Sequence, residues 1–137
     1  VHMAKVDELF DIHSTWVYTK CQPALNEIMI GPSMMGADPP TEERKKELMG
    51  ELHGVLQILE DTFGDGQYFT GDTLTIADIH MYNLLLGYVL WLGVDLSAYD
   101  KLNTWYKTVS EDPLVAECDD EANKFFAEMQ AAMMKKS

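Results

Sequence analysis

The 137-residue sequence is short of positive charge: 10 Lys and Arg stand against 23 Asp and Glu, a formal net charge of −13. A surface that tracks phosphates works by letting Lys and Arg replace condensed counterions, so this deficit argues against nucleic acid and anionic membrane as direct partners. Cysteine is equally scarce. Cys21 and Cys118 lie far apart without a C-x-x-C pair, which argues against a disulfide framework or a zinc knuckle and makes both free thiols. The longest nearly uncharged apolar stretch, Met81 to Val94, falls well short of the roughly 20 residues that span a bilayer, and no signal peptide opens the chain. A cytoplasmic protein is the expectation. His2, His13, His53 and His80 fall in separate segments without ligand-type spacing, so no metal site is expected. Strand-like alternation, repeats and low-complexity tracts are also missing.

What is present is a core. With 47% hydrophobic against 24% charged residues, the chain suits one domain near the modal domain size, and disorder throughout is excluded. Val1-His2-Met3 reads as a cloning remnant followed by an initiator methionine, which leaves 4–137 as the domain. The helix breakers gather at Gly31-Pro32, Gly36 to Pro40, Gly64 to Gly66, Gly71-Asp72, Gly93 and Pro113.

Between these clusters every long segment has helical period. Val6, Leu9, Phe10, His13, Trp16 and Val17 recur at three- and four-residue steps, which predicts a helix to about Lys20, where Pro23 should interrupt it. A second helix should follow Pro39-Pro40-Thr41, with Glu42 and Glu43 in its first turn, where the dipole favours anions. Leu48, Leu52, Val55, Leu56, Leu59 and Phe63 form its buried stripe, and it should end at Gly64.

Thr75-Ile76-Ala77-Asp78 reads as a capping box: the Thr75 hydroxyl accepts from the Asp78 N–H while the Asp78 carboxylate reaches back to the Thr75 N–H. Leu74 and Ile79 stand at the N′ and N4 positions of a hydrophobic staple. The helix that follows is apolar on nearly every side, as suits a central buried helix over about 75–92, and Gly93-Val94 suits a Schellman stop. Further helices should carry Leu102, Trp105, Tyr106 and Val109, and then Ala122, Phe125, Phe126, Met129 and Met133. The fold class is therefore all-α, a bundle of five or more helices around that central one.

The run Tyr68-Phe69-Thr70-Gly71-Asp72-Thr73-Leu74-Thr75-Ile76-Ala77-Asp78-Ile79 resembles the signature of the C-terminal helical domain of cytosolic glutathione transferases. Gly93-Val94-Asp95-Leu96, Tyr99, Leu102 and Trp105 are similar to the stretch that follows it in the family, with Asp100 where proline is usual. Ala4-Lys5-Val6-Asp7 resembles the start of the domain's first helix, and the Pro39 to Phe63 segment resembles its second. The resemblance implies a parent that conjugates glutathione, its co-substrate, to hydrophobic electrophiles. It also implies that an N-terminal thioredoxin-like domain, not found in this sequence, binds glutathione and activates its thiol, so no catalytic residue and no cofactor are expected in this chain and it should be inactive alone.

The resemblance further implies that the first helix and the C-terminal segment line the electrophile pocket, which makes His13, Trp16, Val17, Lys20, Phe125 and Phe126 candidate wall residues. Trp16 and Val17 also read as plain core, and His13 as a partly exposed surface histidine. Glu8, Asp11 or Thr15 occupy the region from which family members reach the partner subunit's glutathione. Asp78 reads as structural, since its carboxylate is committed to backbone donors, and replacing Thr75 or Asp78 by Ala should cost about 1 kcal/mol or more. The family also implies a homodimer through the first two helices. The alternative is a stand-alone interaction module, of the kind found in translation elongation factor and aminoacyl-tRNA synthetase assemblies, that does no chemistry.

Overall fold

A computed structural model describes residues 2–135, with the side chains of His2, His13, Ser14 and Met133 outside that description. Five helices build it. The first, α1, runs without a break over residues 2–34: an α-helical start at His2–Ile12, a wide π-type stretch at His13–Cys21, one α turn at Gln22–Leu25, a second π-type stretch at Asn26–Ile30 and a last α turn at Gly31–Met34. Then follow α2 (Glu42–Thr62), α3 (Ile76–Leu92), α4 (Asp100–Ser110) and α5 (Pro113–Met134). Among the described residues the extended pairing is a single bridge, Tyr68 to Gly71.

Pro23 does not end the first helix, contrary to the sequence expectation. Its ring would clash with the carbonyl four residues back in a regular α-helix, but the π-type stretch widens the turn just before it. The N–H groups around it find acceptors: Gln22 donates to the Tyr18 carbonyl, and Asn26 to those of Gln22 and Pro23. The Thr19 hydroxyl donates to the Thr15 carbonyl. The wider turn also changes which side chains face inward. Leu9, Val17, Cys21 and Ala24 are buried, whereas Trp16, expected on the same face, is 44% exposed.

The second helix matches its pattern in full. Thr41 caps it by accepting from the Arg44 N–H at 3.2 Å, and Leu48, Leu52, Val55, Leu56, Leu59 and Phe63 are all buried. Its far end is stitched to α4 in both directions: the Glu60 carboxylate accepts from the Lys101 and Leu102 N–H groups, each at 2.9 Å, and the Lys101 ammonium donates to the Phe63 carbonyl at 3.1 Å. Each helix terminus thus satisfies orphan groups of the other.

The central α3 buries Ala77, Asp78, Met81, Tyr82, Leu85 and Tyr88, and stops at Gly93, whose φ of +66° is the left-handed conformation that glycine adopts without Cβ strain. Both Gly93 and Val94 donate to the Tyr88 carbonyl. Its burial is nevertheless one-sided: Ile76, Ile79 and Leu90 are 69%, 38% and 37% exposed. α1 packs alongside it, with the Phe10 and His80 rings 5.2 Å apart.

Candidate functional site

Among the described residues, the most heavily hydrogen-bonded buried polar group is the Asp78 carboxylate. It is fully buried and accepts from four donors: the Thr75 N–H and hydroxyl on Oδ2, both at 3.0 Å, and on Oδ1 the Phe69 N–H at 2.9 Å and the Trp105 indole N–H at 3.0 Å. The capping box is therefore formed. It does more than cap, because the same carboxylate ties the loop before α3 and the start of α3 to α4. Phe69 stacks edge-on against Phe63 and Trp105, at 4.8 Å from each, and seals the carboxylate from water. Of the expected staple, Leu74 is half-buried against the core while Ile79 turns partly to solvent. The approach to α3 is fixed by the buried carboxylate.

The candidate wall residues separate into three places. Trp16 lies on an open face of α1 together with Glu8, Asp11 and Thr15, the three residues in the region that the resemblance links to the partner's glutathione, and with Asp7 and Ile12. Val17 is fully enclosed in the core and has no surface to give to a pocket, because the wide turn rotates it inward. Lys20 leans toward α2, with its ammonium 3.8 Å from the Glu51 carboxylate. The His13 side chain lies outside the described residues. At the other end of the molecule Phe126 is half-buried edge-on against Trp91, with ring centroids 4.6 Å apart, whereas Phe125 is 61% exposed. Neither phenylalanine is among the residues that surround Trp16 on α1.

The nucleophilic and phenolic groups inside the bundle are held protonated. Burial, with the Glu51 charge adding to it, pushes the Cys21 thiol up to about 12. Burial likewise raises Tyr82, Tyr88, Tyr99 and Tyr106 above the ordinary phenol value. Two of these hydroxyls are also committed elsewhere: Tyr82 donates to Asp119, and Tyr99 sits 2.9 Å from His53 Nδ1 and donates to the His53 carbonyl, whereas the Tyr88 hydroxyl is buried without a partner among the described residues. Cys118 is exposed, and among the described residues no three His, Cys, Asp or Glu side chains lie together as a metal site would require. Sequence reasoning missed the Tyr82–Asp119 pair, since 37 residues separate its members and no spacing rule links them.

This architecture, a helical bundle pinned by a capping-box aspartate at the head of its central helix, has known counterparts. The glutathione S-transferase C-terminal domain matches residues 23–113, and the chain belongs to that family. Among its relatives is a probable glutathione S-transferase GSTF2 of Oryza sativa subsp. japonica, 30% identical over 112 residues, which cover 80% of this chain and 51% of that protein. A Nilaparvata lugens delta-class glutathione transferase superposes with a TM-score of 0.70 at 26% identity, over 96% of this chain and 58% of that one. Glutathione S-transferase-I, solved with lactoylglutathione bound, shares the fold with a TM-score of 0.71 at 23% identity, over 85% and 55% of the two chains. The chain thus spans about half the length of these relatives.

Proposed function

We propose that this chain is the helical half of a glutathione transferase whose thioredoxin-like half binds glutathione, and that α1 presents Trp16 to the hydrophobic electrophile. The observation that carries the reading is the family match combined with the open face of α1, where an exposed indole stands beside Glu8, Asp11 and Thr15. Conjugation needs a donor or dipole that lowers the glutathione thiol pKa. Burial raises the phenols and the thiol inside this bundle, which supports inactivity of these residues alone. Ile76, Ile79 and Leu90 on α3 form apolar surface of the kind a packing partner covers, and the same exposure favours self-association, with a homodimer through α1 and α2 as the family form. No helix among the described residues is long and apolar enough to cross a membrane, which agrees with a cytoplasmic site of action. The relatives and neighbours reported above are transferases, which favours this reading over a non-catalytic module.

The test is glutathione conjugation of a chlorodinitrobenzene electrophile. The chain alone should run at the uncatalysed rate, and a chimera that places the thioredoxin-like half of the rice relative before Ala4 should turn over. In that chimera Trp16→Ala should raise the electrophile KM several-fold while leaving that of glutathione in place. Turnover by the chain alone, or a folded but silent chimera, overturns the proposal. Light scattering across concentration checks the association: a monomer throughout, with no binding of a dye for apolar surface, counts against a covered face.

A further inference from the structure

Helix α5 is bonded to the bundle differently from the others. Of its described residues only Val115 is buried; its inward line continues through Asp119, Ala122, Phe126 and Met129, all half-buried and spaced four, three, four and three residues apart. That is the spacing of an apolar seam, and Asp119 is its polar member. A carboxylate against apolar surface is costly unless a donor meets it. Tyr82, 1% exposed on α3, supplies that donor. Tyr106 of α4 stacks on Tyr82 with ring centroids 4.8 Å apart and lies close enough to interact with both Tyr82 and Asp119.

The near end of α5 is a break from α4. Asp112 precedes Pro113, which removes one backbone donor and biases the residue before it away from helix. The Asp112 side chain accepts from the Leu114 N–H at 3.0 Å and its carbonyl from the Ala116 N–H at 2.8 Å, so α5 starts its own capped turn instead of continuing α4.

We propose that α5 is a strap hinged at Asp112-Pro113 and held on the bundle, in one register, by the Tyr82–Asp119 latch. A slip of the helix by one residue leaves Asp119 against aromatic rings without its donor, so the docked position is single and its release is all-or-none. Release uncovers the Tyr82 hydroxyl and the edge of Trp91, which Phe126 otherwise covers.

The experiment is backbone amide exchange read by mass spectrometry on the full chain at neutral pH. In the Tyr82→Phe/Tyr106→Phe variant, which keeps both rings and removes both hydroxyls, amides of residues 116–134 should exchange about tenfold faster or more, with α2 and α3 changed by less than about twofold. Adding Asp119→Leu, which completes the apolar seam, should restore the protection. Unchanged exchange in α5, equal acceleration in every helix, or no recovery with Leu overturns the latch. Should the double phenylalanine variant fail to fold, Asp119→Ala on the half-exposed side of the contact carries the same expectation. Loss of protection confined to α5 supports the latch, and intact protection overturns it.

Discussion

Asp78→Ala is the substitution for which the structure fixes a magnitude most firmly. The carboxylate is fully buried, and its removal strands two donors in the core, the Phe69 N–H and the Trp105 indole N–H, together with the half-buried Thr75 N–H. The Thr75 hydroxyl turns to another acceptor and is not counted. An unmet buried donor costs about 1–3 kcal/mol, so the two core donors cost about 2–6 kcal/mol together and the half-buried Thr75 N–H adds to that, the sum being reduced where a water enters the vacated space. Domains of this kind are stable by about 5–15 kcal/mol, which makes the loss a large share of the whole. Asp78→Asn should cost less, about 2 kcal/mol, because its oxygen still accepts from Phe69 and Trp105 while its amide group meets the Thr75 N–H donor to donor. Thr75→Ala keeps the backbone bond to the carboxylate and should cost about 1 kcal/mol. Urea unfolding followed by circular dichroism and by tryptophan fluorescence gives all three values. A cost for Asp78→Ala below about 1 kcal/mol, or one smaller than that of Thr75→Ala, would refute the account of the buried carboxylate as a four-donor acceptor.

Glu60→Ala removes the acceptor for two N–H groups in the first turn of α4 and should cost about 1–2 kcal/mol, with faster amide exchange at Lys101 and Leu102 than elsewhere in the helix; uniform exchange would contradict it. Gly93→Ala places a Cβ at a φ of +66° and should lose about 1–2 kcal/mol, seen as a lower urea midpoint at unchanged m-value; no loss would mean that the stop of α3 relaxes freely. A thiol reagent at pH 8 should label one cysteine per folded chain, the exposed Cys118, and the second only on unfolding, since Cys21 is buried with its thiol raised to about 12, so that about one in ten thousand is thiolate at that pH; two fast thiols in the native protein would disprove this. Alkali should unfold the bundle cooperatively: for Tyr82, Tyr88, Tyr99 and Tyr106, raised above the ordinary 10.0, the folded state holds the proton longer, so their stabilising share is complete below pH 10 and is lost as pH rises beyond it. Phenolate absorbance should then rise together with loss of ellipticity, and independent ionisation of all six tyrosines near pH 10 would contradict that.

Where the controlling contacts are local, the sequence was sufficient. Thr41 and the stripe from Leu48 to Phe63 are decided within one helix, and so are the Thr75–Asp78 box and the glycine stop at Gly93, because each bond closes over three to six residues. Other features depend on partners that local spacing does not name. Pro23 signals a stop in any helix considered alone, yet buried Val17, Cys21 and Ala24 hold α1 together across it, and the π-type turn that accommodates the proline also rotates Trp16 outward. The Trp105 indole reaches Asp78 from 27 residues away and Tyr82 reaches Asp119 from 37, so a capping residue was recognisable as a cap but not as the pin of three segments, and no local spacing singles out Asp119. Phe125 and Phe126 show the limit most sharply. Both fit a helical apolar stripe, and one residue of register decides which packs on Trp91 and which faces water. The polar partner of Tyr82 settles that register, because Val115, Asp119, Ala122 and Phe126 share one line and Phe125 lies off it. The same contact that escapes sequence reasoning therefore decides which aromatic side chain α5 leaves at the surface.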